Sequence, residues 1–429
     1  MDNITQKCIQ RNEVPAAAKP RILQISASDI TITKLLFPLM HALRFEGYDV
    51  ECAANDLEKG TVSRIESVGF RFHNIDIRRN LSPANLYRGF MNILELLKRE
   101  RFDIVHFHTP VAAFIGRLAA GIAGQENILY TAHGFYFHEN MPWFKRFIFK
   151  FAEKIAGRFA TDFMFCQSIE DTDWAAGGNF ISPSRVLHIG NGADISHFNP
   201  DIELGSKVRK ELGIDTQTIV LTFIGRIVKE KGILDLAESF RSLSSIFPNT
   251  ILLVAGDCET SGDRDTTTLD RLKSLIRVNQ MENRVKLLGF RNDPERILAA
   301  SDIFVLPSYR EGLPRSICEA MACGVPVIAS RIRGCREEVT DGIDGILFEA
   351  GNNKALTEAL GILISERGKR VAMGEMARKK ALQHFDERKV LDRQLRVFRS
   401  LIPPHSDPPE KIDVMKEKSR ESLEATPVL

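Results

Sequence analysis

This sequence predicts an α/β fold of two doubly wound, Rossmann-like domains that face each other across a cleft. Three observations predict it. Continuous apolar runs of strand length alternate with helical segments from Arg21 onward, the pattern of a parallel sheet covered on both faces. The alternation restarts at Ile219 after a polar, mixed stretch over 200–217 that suits a hinge or an opening helix. At 429 residues the chain also exceeds one ordinary core, so two domains of roughly 180 to 200 residues are expected.

In the first half, strands are expected at Arg21–Ala27, Tyr48–Ala54, Phe70–Ile77, Asp103–Thr109, Ile128–Ala132, Asp162–Gln167 and Val186–Ile189. Pro20 marks where this pattern begins. Helices are expected between them over Lys34–Glu46, Thr61–Val68, Ala84–Arg101, Val111–Ala123 and Pro142–Phe159, and the half ends at Asn191-Gly192-Ala193-Asp194. The second half gives strands at Ile219–Ile224, Thr250–Ala255, Val285–Leu288, Ile303–Leu306, Val325–Ala329 and Gly345–Phe348. Its helices are expected over Leu234–Ser244, Leu269–Val278, Pro294–Ala300 and the stretch beginning at Pro314, with Lys354–Ser365, Lys369–His384 and Val390–Leu401 closing the domain. The chain thus divides into a loose leader (1–19), a first domain (20–199), a second domain (200–401) and a tail (402–429). The tail lacks an apolar period and is expected to be disordered.

Composition excludes several classes of function. Basic and acidic residues nearly balance, 58 against 56, for a net charge of +2, so nothing electrostatic favours nucleic acid. Seven scattered cysteines contain no C-x2-C pair; neither a disulfide framework nor a zinc site is suggested, and a reducing, cytoplasmic setting fits. Residues 1–19 lack the apolar core of a secretory signal. The run Val111–Gly124 is interrupted by Arg117 and falls short of the ~20 residues of a membrane span.

The chemistry concentrates around Pro307–Gly324. Glu311 and Glu319 stand eight positions apart, and Pro314 suits the first turn of a helix. The free N–H groups of Leu313, Pro314's neighbour Arg315, and Ser316 would point out of that helix start, where the macrodipole favours a phosphate. A carboxylate on each side of a phosphate site accepts hydrogen bonds from paired hydroxyls, which matches the order of hexose, diphosphate and ribose in a nucleotide sugar. Earlier, Gly225-Arg226 and Lys231-Gly232 follow the second domain's first strand. Gly225 allows a close turn, and two cations suit a diphosphate leaving group. In the first domain His133 follows a strand directly, within Thr131-Ala132-His133-Gly134-Phe135, and is expected to face the cleft.

Together these residues, with Asn191-Gly192-Ala193-Asp194, resemble glycosyltransferase family 4, of GT-B fold. The likeness runs from about residue 21 to about 400, and its most specific part is the Glu-x7-Glu stretch followed by Ala-x-Ala-x-Gly-x-Pro-Val-Ile. The resemblance implies retaining, metal-independent transfer from a nucleotide sugar, with no cofactor. It implies that Glu311 binds the donor sugar, Glu319 the ribose diol, and Arg226 and Lys231 the diphosphate, with His133 near the reacting face. His106-Phe107-His108-Thr109-Pro110 and Arg79-Asn80-Leu81-Ser82-Pro83 look most like bacterial transferases of capsule, exopolysaccharide and glycan-lipid assembly. That likeness implies a UDP-linked N-acetylhexosamine donor and a polyprenyl-diphosphate-linked saccharide acceptor. Many members carry a Gly-Gly loop where this chain has Ser26-Ala27-Ser28-Asp29-Ile30-Thr31, so the first domain's phosphate contacts stay open. Asp171-Thr172-Asp173 imitates a metal-binding D-x-D outside its usual context and is not assigned a metal. The alternatives are a non-catalytic glycan-lipid-binding assembly protein, or an epimerase or hydrolase on the same fold.

The helix after His133 suggests where an acceptor is met. At 100° per residue, Phe144, Ile148, Phe151, Ala152, Ile155, Ala156 and Phe159 share a face that is assigned to the core. The opposite side collects Arg146, Lys150, Lys154 and Arg158 with Trp143 and Phe147 among them. Aromatics among cations are what a helix lying on an anionic membrane surface uses. The protein is therefore expected to be peripheral at the inner face of the cell membrane.

Overall fold

The computed structural model describes residues 19–78, 81–139, 141–258 and 266–404. Residues 1–18 of the expected leader, the motif residues Arg79 and Asn80, and the tail from 405 lie outside the described residues.

Two parallel sheets form, one from each half of the chain. The first is built from β1 (Arg21–Ile25), β2 (Asp49–Ala54), β3 (Arg71–Asn74), β4 (Ile104–His108), β5 (Ile128–Ala132), β6 (Phe163–Cys166) and β7 (Val186–His188), in the order β3-β2-β1-β4-β5-β6-β7. The second holds β8 (Ile219–Ile224), β9 (Thr250–Ala255), β10 (Val285–Gly289), β11 (Ile303–Leu306), β12 (Val327–Ser330) and β13 (Gly345–Phe348), in the order β10-β9-β8-β11-β12-β13. Strands such as Ile104–His108, Ile128–Ala132 and Thr250–Ala255 are buried along their whole length, because helices cover both faces of each sheet. Each order reverses once, between β1 and β4 and between β8 and β11. Ligands of open α/β sheets bind at the carboxyl ends of the strands at such reversals. Ser26–Thr31 and Thr109 therefore stand at one reversal, and Gly225-Arg226 and Pro307–Gly312 at the other.

The C-terminal helix overturns one expectation. Glu387–Leu401 does not close the second domain but packs on the first. Val390, Leu395 and Phe398 bury against Ile22, Ile104 and Phe165, Arg399 pairs with Glu46 at 2.7 Å, and the Tyr48 hydroxyl donates to the Ile402 carbonyl. The crossing is secured beside the outgoing linker, where Ala193 N–H donates to Phe385 O and Glu387 N–H to Ala193 O. The polar stretch after 200 opens with a helix, Ile202–Glu211. Among the short helices that the sequence reading does not give are Ile169–Gly177 and Cys335–Glu338.

The Trp143–Phe159 helix is a second correction. Trp143 and Phe147 are exposed as expected, but so are Phe144, Ile148, Phe151 and Phe159, for which the periodicity predicts the core. Of the expected core face Ala156 is buried, and the helix docks through it together with Glu153 and Gly157. Arg117, fully buried in the Pro110–Ile122 helix, needs an anion there and takes Glu153 at 2.6 Å, since a buried cation without a partner is strongly unfavourable. Arg146 and Lys150 turn inward over the Trp174 ring, at 5.2 and 3.3 Å from its centre; Lys154 stays exposed.

Candidate active site

The structure brings two of the second domain's expected site residues, Glu311 and Lys231, into contact. Glu311, on the loop after β11, accepts from the Lys231 ammonium at 2.5 Å and from the Ser308 hydroxyl at 2.7 Å. Lys231 reaches it from the single turn Lys229–Lys231 after β8. Gly232 ends that turn at φ 67°, and a Cβ there would lie 2.0 Å from Pro307 O. No side chain fits, so the cation loop and the carboxylate loop touch through a glycine. Arg226 is exposed at the end of β8 beside Gly225, with no ion pair seen among the described residues.

Glu319 lies inside the Arg315–Ala322 helix, whose N-cap is Pro314. Its carboxylate accepts from Arg315 Nε at 3.0 Å, and Arg315 also meets Glu387 at 3.1 Å. Burial pushes the Glu319 carboxyl up to about 7, Arg315 opposing it. A carboxylate accepts two hydroxyl hydrogen bonds; a neutral carboxyl spends one oxygen as a donor. If Glu319 holds the ribose diol, as the resemblance implies, donor affinity rises as pH climbs through about 7, and titration calorimetry across that range measures it. Glu319→Gln should flatten the profile, whereas an unchanged slope would remove Glu319 from the donor site.

In the first domain His133 follows β5, and His108 Nδ1 lies 3.0 Å from His133 Nε2. Burial pulls the His133 imidazole down to about 4, so it is neutral at physiological pH. Thr109, beside His108, sits at φ 64°, a strained conformation for a β-branched residue, with its hydroxyl accepting from Ala27 N–H. The His133–Gly134 backbone touches Gly312, where a Cβ would lie 2.0 Å from His133 O. Asn191 Nδ2 donates to Leu313 O at 2.7 Å. His133 and the Glu311 loop are therefore held against each other.

A clasp made by the Cys335–Glu338 helix and the residues before it closes the cleft. Arg333 donates to Asp171 at 2.8 Å and to the carbonyls of Phe135 and Phe137. Arg336 pairs with Glu170 and Glu139, and Glu337 accepts from the N–H groups of Ile169 and Glu170 at the start of the Ile169–Gly177 helix. This accounts for Asp171-Thr172-Asp173: both Asp171 oxygens are engaged, by Arg333 and by Phe135 N–H. Sequence reasoning missed Arg333, Arg336 and Glu337, whose only signal was a dense run of charge before a glycine-rich turn.

Two open pockets line the cleft. One runs from Arg146 and Trp174 past Phe137, His138 and Arg310 to Glu311. The other joins His133, Gln167, Asn191, Arg315 and Glu387.

Comparison with known proteins bears on this arrangement. Residues 206–380 match the family model "Glycosyl transferases group 1", and residues 21–168 match "Glycosyl transferase 4-like". The Escherichia coli UDP-Gal:alpha-D-GlcNAc-diphosphoundecaprenol alpha-1,3-galactosyltransferase is 33% identical over 285 residues, covering 66% of this chain and 71% of that protein. The Staphylococcus aureus capsular polysaccharide biosynthesis glycosyltransferase CapM is 29% identical over 366 residues, covering 83% and 92%. Among solved structures, Anabaena Alr3699/HepE in complex with UDP and glucose superposes with a TM-score of 0.72 at 21% identity, over 88% of this chain and 99% of that one.

Proposed function

Since the chain belongs to the group 1, family 4-like glycosyltransferases of GT-B fold, we propose that it moves a sugar, an N-acetylhexosamine, from a UDP-linked donor to a polyprenyl-diphosphate-linked saccharide in bacterial surface polysaccharide synthesis. The observation that carries this reading is the meeting of Glu311, Lys231 and the Arg315–Ala322 helix start with His133 across the cleft. The galactosyltransferase relative, by its name, acts on a diphosphoundecaprenol-linked acceptor.

In this reading Arg226, Lys231 and the helix N–H groups take up the charge that grows on the diphosphate as the bond from sugar C1 to the phosphate oxygen breaks. The acceptor hydroxyl bonds to C1 on the same face, and its proton passes to the departing phosphate oxygen. Glu311 holds the sugar's hydroxyls, tightening as positive charge builds on the ring. No step requires a metal ion. Product made from UDP-N-acetylglucosamine, UDP-N-acetylgalactosamine, UDP-glucose and UDP-galactose, with excess chelator, tests this directly. Transfer of an N-acetylhexosamine in the α configuration, undiminished by chelator, is expected. Loss in chelator restored by magnesium, or a β product, would overturn the mechanism.

The acceptor is expected to arrive from the Trp143–Phe159 side. No helix among the described residues is long and apolar enough to cross a membrane, while Trp143, Phe147 and Phe159 are 81%, 64% and 75% exposed. These aromatics with Lys154 and Arg158 make a face suited to lie in an anionic lipid surface, each cation adding about 1 kcal/mol there. The cavity leading to Glu311 begins at Arg146 of the same helix. The protein should sediment with phosphatidylglycerol vesicles at low salt and not with phosphatidylcholine ones. Trp143→Ala, Phe147→Ala and Lys154→Glu combined should weaken that binding at least tenfold, and binding unchanged by the triple substitution would place docking elsewhere.

A further inference from the structure

A row of polar side chains crosses one otherwise apolar face of the first sheet. Gln24 pairs with His106 in register, and His108 with Thr131. Alternation then puts Gln24, His106, His108 and Thr131 on one face, with His133 two residues beyond Thr131. Around them Ile22, Ile104, Leu129, Phe165 and Phe398 form an apolar cluster, and Gln24, His106 and His108 are all but inaccessible. Buried polar atoms in such a place need defined partners.

The partners are directional. Gln24 Oε1 lies 2.8 Å from His108 Nε2. In this orientation of the Gln24 amide, which leaves its Nε2 without a partner, the oxygen only accepts, so His108 carries its proton on Nε2. His108 is kept neutral by burial, which leaves Nδ1 as a bare lone pair. His133 Nε2 lies 3.0 Å from that lone pair and must bring the proton. His133 is neutral as well, so its own Nδ1 is bare; no group meets it in full hydrogen-bond geometry, and the Gln167 side chain is the polar group beside it. His133 lines the cavity shared with Gln167, Asn191 and Arg315. His106 stands outside the relay, since its Nε2 is engaged with the Thr131 hydroxyl.

We infer that Gln24, acting through His108, fixes which nitrogen of His133 carries the proton, so that His133 meets the donor sugar as a hydrogen-bond acceptor and recognises a hydroxyl rather than a carbonyl. The inference rests on the reading that His133 faces the sugar. Gln24 and His108 are positioning residues: neither reaches the reacting atoms, and the orientation of one buried amide decides the polarity of two rings. The group that fills His133 Nδ1 is a donor, such as a sugar hydroxyl.

The test is a two-bond proton–nitrogen correlation spectrum of protein labelled at the histidine rings, taken at neutral pH. Both His108 and His133 should show the Nε2–H tautomer. Gln24→Leu removes the acceptor and should bring the Nδ1–H form into both rings; Gln24→Glu keeps an acceptor and should restore Nε2–H. An Nδ1–H tautomer at His133 in the unmodified protein, which needs no variant to fold, would overturn the relay. Tautomers unmoved by Gln24→Leu would overturn it too. Transfer assays separate the premise from the inference. Gln24→Leu should lower kcat/KM about tenfold, the size of one neutral hydrogen bond, with UDP affinity unchanged. Tautomers that shift while transfer stays constant would uphold the relay and remove His133 from the sugar.

Discussion

Glu311→Ala should lower kcat by about two to three orders of magnitude, the loss typical of a group that stabilises charge only in the transition state. UDP affinity should hardly change. The asymmetry follows from the proposed roles: Glu311 is held by Lys231 at 2.5 Å and by Ser308, so in that reading removing it frees a cation for the diphosphate while taking away the sugar's anchor. Glu319→Ala should act the other way, raising donor KM more than it lowers kcat. Glu319 sits inside a helix against Arg315, where a ribose contact is the same before and during bond cleavage. Steady-state kinetics on both variants decide the matter. Equal rises in donor KM with kcat intact would sink this division of roles.

Arg333→Ala should give the largest loss of stability. Arg333 is buried and holds Asp171, Phe135 O and Phe137 O across the cleft. Without it Asp171 remains buried with no cation, and breaking such a pair typically costs about 3 to 5 kcal/mol. On the order of 10 °C in Tm is expected for domains of this size. Asp171→Ala added to Arg333→Ala should recover part of the loss, because the stranded charge goes too. A Tm within about 1 °C of wild type would show that the clasp does not hold the domains.

What the sequence disclosed and what it hid divide along physical lines. The strands were legible because both-face burial forces unbroken apolar runs such as Thr250–Ala255. Glu311, Lys231 and the Arg315–Ala322 helix start were legible because their chemistry is local: a proline, a glycine and a carboxylate within a few positions. The destination of the Glu387–Leu401 helix was not, since its apolar stripe fits either domain and only the Ala193–Phe385 pairing sends it back. The buried side of the Trp143–Phe159 helix was hidden for a related reason. Apolar residues surround that helix, and its docking face was chosen by Arg117, 36 residues from Glu153 in the chain. The same distance problem concealed the clasp, whose members are 162 to 198 residues from their partners.

The most direct test of the central claim follows nucleoside diphosphate release from a UDP-sugar with and without a polyprenyl-diphosphate-linked saccharide. Release should be near background alone, rise at least a hundredfold on adding the acceptor, and fall back in Glu311→Ala. Equal release with and without acceptor would mark a hydrolase, and no release under either condition, with donor still bound, would mark a binding protein rather than a transferase.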